Sequence, residues 1–285
     1  MSSLKIFLAI VGAILSWSSS FVFIRLALED YAPGDLALFR YLIVSAVMLI
    51  FYFGLKKRYK PTFQEFLKLF FFGVIGIGFY MLLLNYAEKT VTASITSFVI
   101  GINPVVTLLI ARFFSNESIA ARQWWGVIIG VVGLTIIAWE TLLHQHLSKG
   151  LFFLILATIA AAIYNIGQKP FMKKFHAIEV AAISAWSGTL VMLIYTPSMI
   201  HAIPQASWQT TLATIYLGVV PGAIGYLLWS YLLSSPIPTA KIVPTLYLLP
   251  LFSTLLGWLI LNEIPTMTAL IGGCIALFGA FVARK

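Results

Sequence analysis

Residues 85–134 read NYAEKTVTASITSFVIGINPVVTLLIARFFSNESIAARQWWGVIIGVVGL, and residues 237–283 read IPTAKIVPTLYLLPLFSTLLGWLILNEIPTMTALIGGCIALFGAFVA. In both, an apolar run interrupted by proline leads to a short polar turn holding a glutamate, then to a glycine-rich apolar run. Shifting the chain by 146 residues lays Asn103-Pro104 on Leu249-Pro250, Glu117 on Glu263, Gly126 on Gly272, Gly133 on Gly279 and, upstream, Tyr80 on Tyr226. A single shift that serves all five pairs marks an internal duplication.

Composition says what is duplicated. Of 285 residues, 61% are hydrophobic and 9% charged, against roughly 25% charged in soluble domains. A helix of about 20 apolar residues crosses a hydrocarbon core. Apolar runs bounded by charges or by Gly, Pro and Asn clusters predict ten such spans, over 6–27, 36–53, 67–87, 93–114 and 124–139, then 150–168, 180–199, 210–233, 240–261 and 267–283. Little chain remains for a soluble domain. The expected fold is all-α and polytopic, with one repeat in 1–143 and the other in 144–285. Because each repeat holds an odd number of spans, the second enters the bilayer inverted, an architecture characteristic of transporters.

Charge orients the chain. Of its 18 Lys and Arg, all but Arg25, Arg40, Lys89 and Lys149 fall on one side of the ten-span arrangement. Positive loops resist translocation, so both termini are expected in the cytoplasm, in a bacterial-type inner membrane. The net charge of +9 belongs to those loops rather than to a nucleic-acid surface. Near the N-terminus, Lys5, an apolar stretch and Ser18, Ser19 and Ser20 look like a secretory signal. The apolar run continues through Phe21 to Ile24, which reads as an uncleaved first span. The lone Cys274 excludes an intrachain disulfide and a cysteine metal cluster.

The two quoted stretches resemble the carboxyl part of an EamA domain, with its proline in the fourth helix, a glutamate just after it and a glycine-rich fifth helix. Over nearly the whole chain, the sequence is similar to a ten-helix member of the drug/metabolite transporter superfamily. The resemblance implies a metabolite exporter or permease, with amino acids, aromatic ones included, among the cargo classes. The small multidrug members of that superfamily carry a glutamate in the first helix. Here Trp17 stands at that depth, which disfavours their proton exchange.

Candidate roles follow from residue type and depth. Glu29, Asp30 and Asp35 fall in the first external loop, Glu88 ends the third span, and Glu117 and Glu263 sit in the turns after the fourth and ninth. No acid is expected at mid-span, so transport is not expected to depend on a buried carboxylate. Pro104 and Pro250 each remove a mid-span donor and free a carbonyl near Ile100 or Leu246, making them candidate hinges; Pro221 and Pro244 lack counterparts. For substrate, the candidates are Trp17, Tyr80, Asn85, Asn103, Tyr164, Asn165, Tyr226 and Tyr247, with Trp186 and Trp229 behind them: flat apolar faces with polar edges, and amides that need a partner inside the bilayer. Trp139 and Trp258 suit the interface. Gly126, Gly130 and Gly133, answered by Gly272, Gly273 and Gly279, suit close helix packing. Glu117 and Glu263 match the family's glutamate and are expected to cap or tether the following helix.

Other chemistry finds little support. The sequence has no GxxxxGK or HExxH motif, and His144 and His146 are expected in an external loop without acidic or cysteine partners. No metal site, cofactor or catalytic set is expected. The sequence therefore predicts a carrier, not an enzyme, which moves a small amphipathic solute by alternating access through a central cavity between the repeats. The alternatives are a proton- or cation-coupled drug exporter, an integral membrane enzyme or an assembly scaffold.

Overall fold

The computed structural model describes residues 3–115, 121–143, 145–168, 170–233 and 243–283. Every regular element among them is helical. The helices are α1 (Ser3–Ala27), α2 (Pro33–Gly54), α3 (Phe63–Gly73), α4 (Tyr80–Glu88), α5 (Ala93–Gly101), α6 (Asn103–Ser115), α7 (Ala121–Leu143), α8 (Gln145–Gln168), α9 (Ala177–Met192), α10 (Thr196–Ala202), α11 (Trp208–Val219), α12 (Gly225–Leu233), α13 (Leu249–Leu261) and α14 (Met267–Ala283).

Several of these join end to end. A π-helical segment, Val74–Phe79, fuses α3 to α4, and another, Val220–Ile224, fuses α11 to α12. Six of the resulting helices are long and apolar enough to cross a membrane: Leu4–Ala27, Pro33–Gly54, Phe63–Glu88, Lys149–Gln168, Ala177–Ala202 and Trp208–Trp229. Four shorter apolar helices occur among the described residues, Ala93–Thr107, Ala121–Ile137, Thr245–Leu261 and Met267–Val282. The surface is apolar as well as the core. Phe7, Ile50, Phe71, Ile194 and Leu259 lie exposed, while Ser18, Thr96, Asn85 and Thr214 are buried. Such a surface suits a lipid solvent.

Local chemistry sets the boundaries. Thr62 and Glu65 form a reciprocal capping box that starts α3 four residues before the expected third span. His176 and Glu179 do the same for α9. Pro33 opens α2, where its missing N–H costs nothing. The expected loop around His144 and His146 is shorter than the sequence suggested: α8 begins at Gln145, so His146 is helical, while His144 lies outside the described residues.

Packing repeats the sequence shift. α1 lies on α11 and α12 as α8 lies on α4, α1 on α13 as α8 on α6, and α2 on α11 as α9 on α3. α2 with α9 and α7 with α14 are the self-related pairs. The α7–α14 pair is a glycine seam. A Cβ at Gly133 would overlap Ala276 and meet the Gly272 carbonyl at 2.5 Å, and one at Gly279 would overlap the Gly130 backbone and meet the Gly126 carbonyl at 2.7 Å. Only residues without side chains let these backbones touch.

Candidate functional site

The two π segments start at positions related by the same 146-residue shift, Val74 and Val220. π turns widen a helix and are frequent at functional sites. Each here seats an aromatic side chain from the opposite repeat. Within the first segment, a Cβ at Gly76 would overlap the Tyr164 ring of α8. Just past the second, a Cβ at Gly225 would come within 2.8 Å of Trp17 Nε1. Trp17 is also fixed by donating its indole N–H to the Pro221 carbonyl at 3.1 Å. Pro221 thus has no proline counterpart, yet the distortion it occupies does.

Tyr80 and Tyr226 follow the π segments and carry the cluster onward. Trp17 meets Tyr226 edge-on at 5.6 Å between ring centroids and Trp229 at 5.4 Å. Tyr41 lies within electrostatic reach of Tyr80, Tyr164 and Tyr226. Among these rings stands Arg40, 4% exposed, its guanidinium carbon 5.8 Å from the Tyr41 ring centroid. Arg40 Nε and Nη1 and the Tyr41 hydroxyl find no hydrogen-bond partner.

Four of the eight expected substrate residues, Trp17, Tyr80, Tyr164 and Tyr226, thus border the two π segments, with Trp17 and Tyr226 in ring contact and the three phenols within electrostatic reach of Tyr41. The other four do not join them. Asn85 is fully buried and donates to the Pro33 carbonyl at 3.0 Å, pinning α4 to the start of α2. Asn103 donates to the Thr158 carbonyl at 3.1 Å and accepts from Asn165 at 2.8 Å, a polar joint between α6 and α8. Tyr247 donates to the Ala280 carbonyl at 2.8 Å and packs near Val105 and Val127. Trp186 donates to the Ser45 carbonyl at 3.2 Å.

Sequence reasoning missed Arg40 and Glu88. Arg40 was counted among loop charges, but it lies inside α2. Its position within the expected 36–53 span was the available signal, because an ionisable residue in a span is functional by default. Glu88 was placed at a span end, which is correct for the helix, but its carboxylate is 0% exposed and neither oxygen has a partner. The sequence places no acid at mid-span, and Glu88 does close its helix, but it is buried there.

The helix breaks fall where the prolines are, with a shift. The fourth apolar run stops at Ile102 and restarts at Asn103, so Pro104 occupies the first turn of α6 rather than a kinked interior. Pro250 occupies the first turn of α13, after the 3₁₀ segment Val243–Leu248. A first turn needs no donor from proline, so the chain satisfies it by starting a new helix.

Glu263 was expected to serve the following helix and instead reaches backwards. Asn262 adopts a left-handed conformation, φ 54°, and turns the chain after α13. Glu263 Oε2 then accepts from the Ala93 N–H at 2.9 Å, capping α5, while Oε1 pairs with Arg25 at 2.8 Å. Arg25 also donates to the Glu88 carbonyl. Glu117 lies outside the described residues. No group of His, Cys, Asp and Glu that could hold a metal occurs among the described residues.

Farther out, two polar contacts tie loops down. Asp30 accepts from Ser207 N–H and Thr210 Oγ1, each at 2.8 Å, and the backbone N–H of Ser207 holds its carboxyl below the ordinary value. Lys174 pairs with Glu65 at 2.6 Å, and that carboxylate raises the ammonium's pKa.

The profile of the EamA-like transporter family matches residues 4–139 and 148–284, nearly the whole chain in two copies. The chain belongs to the EamA-like transporter family. This EamA-like chain is 32% identical over 263 residues to "Uncharacterized transporter YdfC" of Bacillus subtilis (strain 168), covering 92% of this chain and 85% of that protein. It is 29% identical to the "Probable terminal-alkyne amino-acid exporter" of Streptantibioticus cattleyicolor, covering 97% of this chain and 92% of that one. It is 30% identical to the "S-adenosylmethionine uptake transporter" of Rickettsia bellii (strain RML369-C), covering 85% and 80%. A solved crystal structure at 19% identity superposes with a TM-score of 0.63 over 99% of this EamA-like chain and 98% of that one, a likeness of fold. The protein is thus an all-helical, multi-pass membrane transporter of small solutes.

Proposed function

We propose that this EamA-like transporter moves an amino acid or a related amphipathic metabolite by alternating access between two inverted five-helix repeats, residues 1–143 and 144–285. The observation that carries this reading is the pair of π segments at matching repeat positions, one followed by Tyr80 and seating Tyr164, the other leading to Tyr226, whose ring meets Trp17. Irregular helix at the meeting of repeats borders the solute path in inverted-repeat carriers. Stacked phenols and indoles suit a solute with an apolar side chain and a polar end. The named relatives lend weight: a terminal-alkyne amino acid and S-adenosylmethionine both carry an α-amino and a carboxylate group.

On this reading the ten helices all span, both termini are cytoplasmic, and the Arg25–Glu263 pair closes the external end while cargo faces the cytoplasm. The breaks at Pro104 and Pro250 are the hinges about which each repeat rocks. Asn103 and Asn165, on the same α6–α8 joint, line the path farther from the aromatic cluster. Counterflow in proteoliposomes tests it: a panel of amino acids should drive exchange of a labelled member, and Tyr80→Ala should weaken it without loss of folded protein. A folded protein that exchanges none of the panel would overturn the reading.

One observation favours a second reading, a proton- or cation-coupled exporter. Glu88 is a fully buried carboxylate without a partner. Exchange abolished by collapsing an imposed proton gradient, with no amino acid competing, would support it.

A further inference from the structure

Two ionisable side chains of opposite type, Arg40 and Glu88, are buried in this bundle without pairing to each other. Arg40 is 4% exposed and Glu88 0%, and Nε and Nη1 of the first and both carboxylate oxygens of the second lack hydrogen-bond partners. Glu88 lies within electrostatic reach of Arg25 first, then of Glu263 and Arg40, and Arg40 and Glu88 both act on the Tyr80 phenol. The ion pairs among the described residues are Arg25–Glu263 and Lys174–Glu65, so no oxygen of Glu88 comes within 4.0 Å of an Arg40 nitrogen.

Leaving two buried ionisable groups apart is costly. An ionised group buried without a partner costs several kcal/mol, which a well-placed opposite charge offsets in part. The fold prevents this. Asn85 fastens α4 to the Pro33 carbonyl, one helical turn before Glu88, and Arg25 grips the Glu88 backbone carbonyl. Arg40 is held against Tyr41 in the aromatic cluster. A guanidinium fork matches a carboxylate, and a desolvated carboxylate matches an ammonium.

We infer that Arg40 and Glu88 recognise the two ends of a zwitterion, Arg40 taking the carboxylate and Glu88 the ammonium of an α-amino acid, whose side chain lies among Tyr80, Tyr226 and Trp17. This deepens and rests on the amino-acid reading of the same site. It defines a class: solutes with both charges on adjacent carbons are cargo, and solutes with one charge are poor cargo. Each missing charge leaves one buried ion uncompensated.

The test is competition in counterflow with the full chain in proteoliposomes. L-leucine, L-methionine and L-phenylalanine are each compared with the amine lacking the carboxylate and the acid lacking the ammonium. The amino acids should compete about 10- to 100-fold better than either relative, the worth of one charge-assisted contact. Arg40→Gln should erase the preference for amino acid over amine, and Glu88→Gln the preference for amino acid over acid. A structural role for either residue would lower all three competitors together and would not exchange their order. Should amine and acid compete as well as the amino acid in the unaltered protein, the inference fails while the transport reading stands. If a variant does not fold, that comparison in the unaltered protein still decides. Should no amino acid exchange at all in a folded protein, both fall.

Discussion

Arg25 and Glu263 are joined through 2.8 Å although 238 residues separate them. The carboxylate that takes the guanidinium also caps α5 through Ala93, so one side chain holds α1, the start of α5 and the turn after α13 together. The Glu263 side chain is 11% exposed and Arg25 28%. A double-mutant cycle of Arg25→Ala and Glu263→Ala, read by thermal unfolding in detergent, should give a coupling of about 0.5–3 kcal/mol. Glu263→Ala should be the worse single change, because it also uncaps α5. Additive single effects would show that the two residues act independently.

The aromatic cluster separates binding from packing. Trp17→Ala and Tyr80→Ala should each weaken solute binding by ~1–3 kcal/mol. Tyr247→Phe removes one hydrogen bond, to the Ala280 carbonyl, and should cost about 0.5–1.5 kcal/mol of stability with affinity unchanged. Affinity that tracks Tyr247 and ignores Tyr80 would move the site toward α14.

Along the α7–α14 seam the glycines are not equivalent. A Cβ at Gly130 would meet nothing closer than 3.9 Å, so Gly130→Ala should be neutral or add up to about 1 kcal/mol through helix propensity. Gly279→Ala places its methyl into the Gly130 backbone, 2.8 Å from that Cα, and should cost about 1–3 kcal/mol and lower folded yield. Equal melting temperatures for the two variants would contradict this geometry.

Acid should loosen the Asp30 tether. Ser207 N–H lowers this carboxyl from its ordinary 3.8, so its stabilisation is present above that value and is lost as pH falls through the lower folded-state value. Thermal midpoints followed from pH 6 downward should drop less steeply in Asp30→Asn than in the parent. Parallel curves would deny the carboxylate that role.

Orientation has its own test. On a Cys274→Ala background, cysteine at position 146 should be labelled from outside intact cells, while positions 58 and 174 stay protected. External labelling at position 58 would reverse the orientation.

Much of the fold was legible in the sequence because its signal is collective. The run 267–283 coincides with α14, and the shift that pairs Pro104 with Pro250 also pairs helix restarts at Asn103 and Leu249. Long apolar segments and glycine spacing survive errors at single residues. The candidate site was legible only by type and depth. Those criteria select Trp17, Tyr80, Tyr164 and Tyr226 beside the π segments, but also Tyr247 and Asn85, which spend polar atoms on backbone carbonyls. The π segments leave no residue signature; Val74–Phe79 contains no proline. Arg40 was misjudged because a charge near a span end can either turn outward or sink inward. Tyr80 and Tyr226, which lie within its electrostatic reach, come from two other helices, so sequence spacing does not reveal them.

Where Gly133 and Gly279 bring α7 and α14 into backbone contact, no gap is left that an acyl chain could wedge open. At those positions the edge between α7 and α14 is a closed wall, with no sideways door for a solute dissolved in the bilayer.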